Sequence, residues 1–290
     1  MNEFDIAKMK WEAATNAGTI SERIARAEKL ALYFQCVMER FESSVSGAEP
    51  PSNDHAGYGG TFADILIREL GLNHNSTVLD VGCGGGGASM RFAKICSRVL
   101  AIDMNGKLLT RTSERFSSRG VTNIEFREMF WEHFNTSEQF DLCFASMCSA
   151  ICDYEQLLRF ESKSRKSCAV VTIGRSAAGD KSGVRRKLRE CLTPNPLPGL
   201  MVDGRLLFDL LCEMERKPNV VQKVQHSLSR VPIKEAIARF TRYYAAWGYD
   251  DEASEQKIRV HIEQNSIDGV WTEDDMNTLM LIYWDVPESV

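Results

Sequence analysis

Apolar residues in the first part of the chain have the spacing of an amphipathic helix. In the segment 21–45 they recur at alternating three- and four-residue steps, at Ile24, Ala27, Ala31, Phe34, Met38 and Phe41. This spacing places them on one face of a helix. Residues 1 to about 48 are therefore predicted to be largely helical. The stretch 46–60 is dense in Gly, Pro, Ser and Asn and is predicted to be a loop, followed by a helix over 61–71.

From residue 77 the pattern changes to short β-rich runs that alternate with helical ones. Strands are predicted at 77–82, 98–103, 123–128, 140–146 and 168–174, with helices at 87–96, 105–119 and 153–164. Near-continuous apolar strands separated by helices indicate a parallel sheet covered on both faces. This is the doubly wound α/β pattern, in which a ligand binds beyond the carboxyl ends of the strands.

After residue 174 the alternation is looser. Helices are predicted at 175–191, about 202–216, 232–247 and 251–265, with strands at 219–228 and 278–286. We predict a single domain over 1–290. It would comprise an N-terminal helical cover (1–75), a ligand-binding core (76–175) and a C-terminal half (176–290) with a helical insertion at 229–270.

Composition and charge narrow the class of protein. The 290 residues are 43% hydrophobic and 26% charged, with a formal net charge of −5 and a pI of about 5.7. This acidity disfavours a nucleic-acid partner. No apolar run has the length of a membrane span, and the N-terminus lacks the features of a secretory signal. The nine cysteines are odd in number and several lie in apolar segments. We therefore expect a cytoplasmic protein with reduced thiols.

The most informative segment is the glycine cluster after the first predicted strand. The run from Gly82 to Gly86 joins a strand to a helix, and Asp103 ends the second strand, 19 residues after Gly84. Glycine is needed where the backbone takes a positive φ or a ligand approaches closely. An acid about 20 residues further on binds ribose hydroxyls in nucleotide-binding folds. The alternative is a flexible turn with an incidental acid.

The segment from Asp80 to Gly86 resembles motif I of the class I S-adenosylmethionine-dependent methyltransferases, commonly D/E-x-G-x-G-x-G. Asp103 matches the acid that holds the ribose in that family, and the strand ending at Ser146 resembles its fourth motif. The resemblance implies S-adenosylmethionine as cofactor. It also implies a sixth and a seventh strand, hence a doubly wound, mostly parallel seven-stranded sheet with helical elaborations at both ends.

This sequence departs from the family pattern after the third strand. Where the family often has an acid that binds adenine, Met129 and Phe130 stand here, with Glu128 or Glu132 as substitutes. Met129 and Phe130 could equally be core residues. Tyr58, beside three glycines, is predicted to lie against the cofactor or to anchor its loop. The predicted cofactor-binding residues are Asp80, Gly82, Cys83, Gly84, Asp103, Met104, Met129, Phe130, Ser146 and Tyr58.

No catalytic residue is assigned, because the cofactor supplies an activated methyl group and the protein orients it. We expect a small-molecule acceptor under a helical cover that includes the aromatic residues at 243–249, and neither a nucleic acid nor a membrane as partner. The alternatives are a protein or RNA acceptor, or a binding protein without turnover. Cys143, Cys148 and Cys152 are close in sequence, but they lack the second pair typical of a zinc site, so no metal is predicted.

Overall fold

A computed structural model describes residues 1–15, 19, 21–30, 58–174, 183–193 and 203–287. The helices are α1 (Glu3–Thr15), α2 (Tyr58–Glu69), α3 (Gly87–Ile95), α4 (Gly106–Ser118), α5 (Tyr154–Ser162), α6 (Val184–Leu192), α7 (Gly204–Glu213), α8 (Ile233–Ala245) and α9 (Glu252–Gln264). Residues 21–30 are also helical, and Trp131–His133 form one 3-10 turn. None of the described helices is both long and apolar enough to cross a membrane.

The strands form one mixed sheet whose order is β3-β2-β1-β4-β5-β7-β6. Their bounds are β1 Thr77–Val81, β2 Arg98–Asp103, β3 Ile124–Glu128, β4 Phe140–Ser146, β5 Ser164–Gly174, β6 Asn219–Pro232 and β7 Val270–Asp285. The first five strands are parallel, and β7 runs antiparallel to both β5 and β6. The predicted seven-stranded doubly wound fold is confirmed. The order reverses between β1 and β4, which makes their carboxyl ends the expected ligand site.

Alternate residues of the central strands feed two separate apolar cores, because successive side chains of a strand point to opposite faces. On one face Leu79, Leu100 and Cys143 pack with residues of α5 and α7. Trp11 of α1 joins this core and is fully buried. On the other face Val78, Val99, Leu142 and Phe144 pack against residues of α2 and α3.

The last two strands extend well past the rest of the sheet. β7 pairs with β5 only from Thr278 onward, whereas its first half pairs with β6 alone. The sequence prediction placed the start of this strand at 278 and the end of β6 at 228, and both bounds are wrong. Most of the missed part of β7, from Thr272 to Asn277, has few apolar side chains, so no apolar run marks it as a strand.

Between β6 and β7 lie α8 and α9, so the helices of the insertion predicted at 229–270 begin at Ile233 and end at Gln264. They enclose a third apolar core with α6 and the outer ends of the two strands, which includes Phe240, Tyr244, Ile258 and Trp271. Other bounds also differ from the prediction, and two of them lie near the candidate ligand site or the core. β5 begins at Ser164, before the predicted 168. The second helix begins at Tyr58, so residues 58–60 are helical and are not part of a loop.

Candidate functional site

The turn after β1 is held open by glycines in the left-handed region. Gly82, Gly84 and Gly86 have φ of 69°, 51° and 70°, and α3 begins directly after Gly86. Such angles strain any residue with a Cβ atom. The N–H groups of Gly82 and Cys83 both donate to the carbonyl of Ile102, at 2.8 and 3.0 Å. The turn therefore lies directly over the carboxyl end of β2.

Asp103, at the end of β2, binds this turn through its side chain. One carboxylate oxygen accepts the Gly84 N–H at 2.8 Å, and the other accepts the Asn105 N–H at 2.9 Å. Burial raises the pKa of Asp103, although these backbone hydrogen bonds work in the opposite direction. Each carboxylate oxygen can accept more than one hydrogen bond, so both keep capacity for the two hydroxyls of a ribose.

Helix α4 fastens the same turn from its other side. Thr112 donates its hydroxyl to the Gly84 carbonyl at 3.4 Å, and the Arg115 guanidinium donates to the Gly85 carbonyl. A Cβ atom on Gly86 would lie 2.9 Å from side-chain atoms of Thr112 and Phe116. A Cβ atom on Gly84 would meet no atom within 4 Å. The turn is thus packed against α4 at Gly86 and has free space at Gly84, as a ligand that lies across the turn requires.

Asp80 lies beneath the turn, where it is 1% exposed. Its carboxylate accepts a hydrogen bond from the Ser89 hydroxyl of α3. Burial raises the pKa of Asp80 to about 7, against the opposing effect of the Ser89 hydrogen bond. The side chain is therefore placed to fix the turn relative to α3, and direct contact with a cofactor stays a prediction.

The end of β4 forms the neighbouring wall. A Cβ atom on Gly82 would lie 2.4 Å from the Cys148 sulfur, and one on Gly59 of α2 would lie 3.7 Å from the Ser146 hydroxyl. Between them Met147 takes a positive φ of 50°. Ser146 is thus brought beside the glycine turn and the start of α2. Tyr58 is the first residue of α2, and its side chain lies outside the described residues.

The end of β3 forms the opposite wall. The Met129 N–H donates to the Asp103 carbonyl at 2.9 Å, which brings Met129 beside the glycine turn. Its side chain packs against the core that contains Trp131, as the core alternative predicted. Phe130 and Met104 are half-buried, and the Phe130 ring lies 5.9 Å from that of His133. The Glu128 carboxylate lies against Gly106, where a Cβ atom would be 2.1 Å from it.

The family model described as a methyltransferase domain matches residues 78–166, from β1 into β5. This segment covers the glycine turn, Asp103, and both walls. The part of the chain that builds the glycine turn and its walls thus matches a methyltransferase domain.

Relatives with quite different acceptors match short segments of the chain. A protein-L-isoaspartate O-methyltransferase from Nitrosomonas europaea is 39% identical over 62 residues, 21% of this chain and 28% of that protein. A 23S rRNA (uracil(1939)-C(5))-methyltransferase from Legionella pneumophila is 35% identical over 60 residues, 21% of this chain and 14% of that protein. The matched parts thus span well under half the length of these curated relatives.

Solved structures agree with the fold. The YcgJ protein from Bacillus subtilis superposes with a TM-score of 0.50 at 14% identity, over 78% of this chain and 98% of that one. At this identity the likeness bears on the fold alone.

The thiols around the methyltransferase domain are packing groups. Burial raises the pKa of Cys148 to about 12, and burial also raises that of Cys83. Both therefore stay protonated at neutral pH, which disfavours a role as nucleophile or metal ligand. Among the described residues, no three His, Cys, Asp or Glu side chains form a group that could hold a metal ion.

Two arginines that no motif in the sequence marks as functional hold the loop after β3. Arg159 of α5 donates to the carbonyls of Glu132, at 2.9 Å, and of Phe134. Arg23, in the helical residues 21–30, forms ion pairs with Glu132, at 3.6 Å, and with Asp153. The side-chain partners of Arg23 are 109 or more positions away in the chain, so no local pattern in the sequence indicated these contacts. Glu132, considered as an adenine-binding acid, is paired with Arg23.

Proposed function

We propose that this protein transfers the methyl group of S-adenosylmethionine to a small-molecule acceptor. The observation that carries the proposal is the connection between the glycine turn and Asp103, within a matched methyltransferase domain. The turn presents backbone without Cβ atoms, and Asp103 keeps acceptor capacity for ribose hydroxyls. These residues fit the cofactor.

In this proposal Asp103 binds the ribose, and the glycine turn accommodates the amino-acid part of the cofactor. Met104, Met129 and Phe130 contribute apolar surface for the adenine. When bound, the cofactor supplies a methyl group already activated by a positive sulfur. The protein then needs to hold the acceptor about 3–3.5 Å from that methyl carbon and in line with the breaking bond.

A small acceptor is supported by how the carboxyl edge of the sheet is covered. The helical residues 21–30 bind the loops after β3 and β4 through Arg23. Further along the same segment, Lys29 binds Asp250, between α8 and α9, at 3.6 Å. Covered sites exclude water and suit small substrates. The net charge of −5 also disfavours RNA.

The cofactor is tested by calorimetric titration of S-adenosylhomocysteine into wild type and Asp103→Ala. We expect one site per chain, and a loss of about 1.5–3 kcal/mol in the variant, the range for a hydrogen bond to a charged group. Wild type that binds NAD more tightly than S-adenosylhomocysteine would contradict the assignment.

The acceptor is tested by release of S-adenosylhomocysteine in three parallel fractions, namely metabolites under 1 kDa, total RNA, and total protein. Turnover with the metabolites alone supports a small acceptor. Turnover that disappears on RNase or protease treatment would assign the acceptor to a macromolecule. Binding without turnover in any fraction would favour a protein that binds the cofactor without catalysis.

A further inference from the structure

Arg23 is a mostly buried cation that joins two distant loops. Its side chain is 10% exposed, and it pairs with Glu132, 10% exposed, and Asp153, 18% exposed. It also donates to the Cys152 sulfur at 3.3 Å. A guanidinium is suited to this because it presents five donors in a fixed plane.

The two carboxylates belong to opposite walls of the candidate site. Glu132 lies in the turn Trp131–His133, immediately after Met129 and Phe130. Asp153 lies in the loop after β4, where it begins α5 by accepting the Gln156 N–H at 2.8 Å. Arg23 therefore bridges the wall proposed to contact adenine and the wall that contains Ser146 and Cys148.

The positive charge of Arg23 lets the two carboxylates, and with them the two loops, lie close together. Without Arg23, two carboxylates that are mostly removed from water would face each other without their shared cation. Uncompensated charges of the same sign in a partly buried position repel strongly. We expect them to move apart towards water, and the two loops to move with them.

The same helical segment offers a matched control. Lys29 pairs with Asp250 at 3.6 Å and donates to the Ala245 carbonyl at 3.4 Å, both in the inserted helical unit. It contacts neither loop of the site through these bonds. Loss of Lys29 thus weakens the attachment of the segment to the insertion without removing the bridge between the walls.

We propose that Arg23 is a positioning residue of the methyltransferase site, which fixes the spacing of the loops after β3 and β4 and so the geometry in which cofactor and acceptor meet. This proposal rests on the proposed function. It assigns Arg23 no contact with the reacting atoms.

The first test compares Arg23→Met, Arg23→Lys and Lys29→Met by titration with S-adenosylhomocysteine. We expect Arg23→Met to raise the dissociation constant at least about tenfold, equivalent to about 1.4 kcal/mol. Arg23→Lys, which keeps the charge but not the planar fork, should recover part of this loss. Lys29→Met should bind like wild type. An Arg23→Met variant within twofold of wild type would overturn the proposal.

A double-mutant cycle separates positioning from general loss of stability. If Arg23 acts through Glu132, the effects of Arg23→Met and Glu132→Gln on the dissociation constant should not add in the double variant. Fully additive effects would overturn the proposal. Should Arg23→Met fail to fold, Glu132→Gln alone carries the test, and wild-type affinity in that variant would overturn it equally.

A third measurement does not depend on the cofactor. Amide hydrogen exchange in ligand-free Arg23→Met should be faster than in wild type in both 130–134 and 147–153, and unchanged in the central strands. Unchanged exchange in the two loops overturns the positioning role even if S-adenosylhomocysteine does not bind. Wild type that binds no S-adenosylhomocysteine, with faster exchange in the variant, overturns the proposed function and leaves the bridge supported.

Discussion

Replacement of Asp80 by Asn should make the protein more stable, by a margin that grows with pH. The side chain lies under the glycine turn, 1% exposed, and it accepts hydrogen bonds from the hydroxyl and the backbone N–H of Ser89. Asparagine has nearly the same shape and keeps an oxygen that can accept these hydrogen bonds. The substitution therefore removes the ionisation of a buried group and changes little else.

The magnitude follows from the pKa of Asp80, which burial raises from 3.8 to about 7 in the folded protein. Between these values the unfolded chain loses the proton and the folded protein keeps it. The folded state then binds more protons, so the stability of wild type falls as pH rises through this window. At about 1.4 kcal/mol per pKa unit the full effect is about 4 kcal/mol, of which roughly 2–3 kcal/mol accumulates between pH 5 and pH 8.

The assay is urea denaturation of wild type and Asp80→Asn at pH 5, 6, 7 and 8. The difference in free energy of unfolding should rise in favour of the variant from pH 5 to about pH 7 and then level off. The matched control is Asp209→Asn, which makes the same carboxyl-to-amide change at an exposed position of α7, and its effect is measured at each pH for comparison. A constant difference for Asp80→Asn would refute the reasoning, because the buried carboxyl would then titrate alike in both states.

Three further substitutions test the packing of the turn and of the sheet. Gly82→Ala places a Cβ atom 2.4 Å from the Cys148 sulfur at a φ of 69°. In urea denaturation the free energy of unfolding should fall by about 1–3 kcal/mol. Gly84→Ala has no atom within 4 Å of its Cβ, so it should lose only about 1 kcal/mol of stability. The same variant should bind S-adenosylhomocysteine more weakly in calorimetry, and full affinity would place the cofactor elsewhere. Glu161→Gln weakens the pairing with Arg216, at 2.9 and 3.0 Å, and should cost about 3 kcal/mol in thermal or urea unfolding.

The core of the fold was predictable because its signals are local. The strands at 98–103 and 140–146 have the predicted bounds, since each is a short, largely apolar run with polar residues on both sides. The outer half of β7 was missed because its stretch from Thr272 to Asn277 contains three acids and few apolar residues. It forms a strand because β6 provides backbone partners, and that pairing spans dozens of residues of sequence.

The contacts of the candidate site also fall into two kinds, those that the local sequence indicates and those that it does not. The glycine turn and Asp103 are adjacent through a strand-helix-strand unit whose spacing is visible in the sequence. The contact of Gly82 with Cys148, and the bridge formed by Arg23, join segments that only the folded sheet brings together. Tyr58 shows a third case. The glycines near it predicted a loop, yet two of them lie within α2, where Gly59 allows the helix to approach Ala88 closely.

The attachment of the inserted helices has a consequence for how this protein can change over generations. The insertion leaves β6 at Pro232 and returns to β7 at Val270, and these two residues face each other as a pair of the ladder. An insertion whose two ends are paired neighbours can be lengthened, shortened or exchanged without a shift in the register of β6 and β7. Its own apolar core means that it can accept substitutions with little effect on the central sheet. Descendants of this chain could thus carry a different helical insertion while the glycine turn and Asp103 are inherited intact.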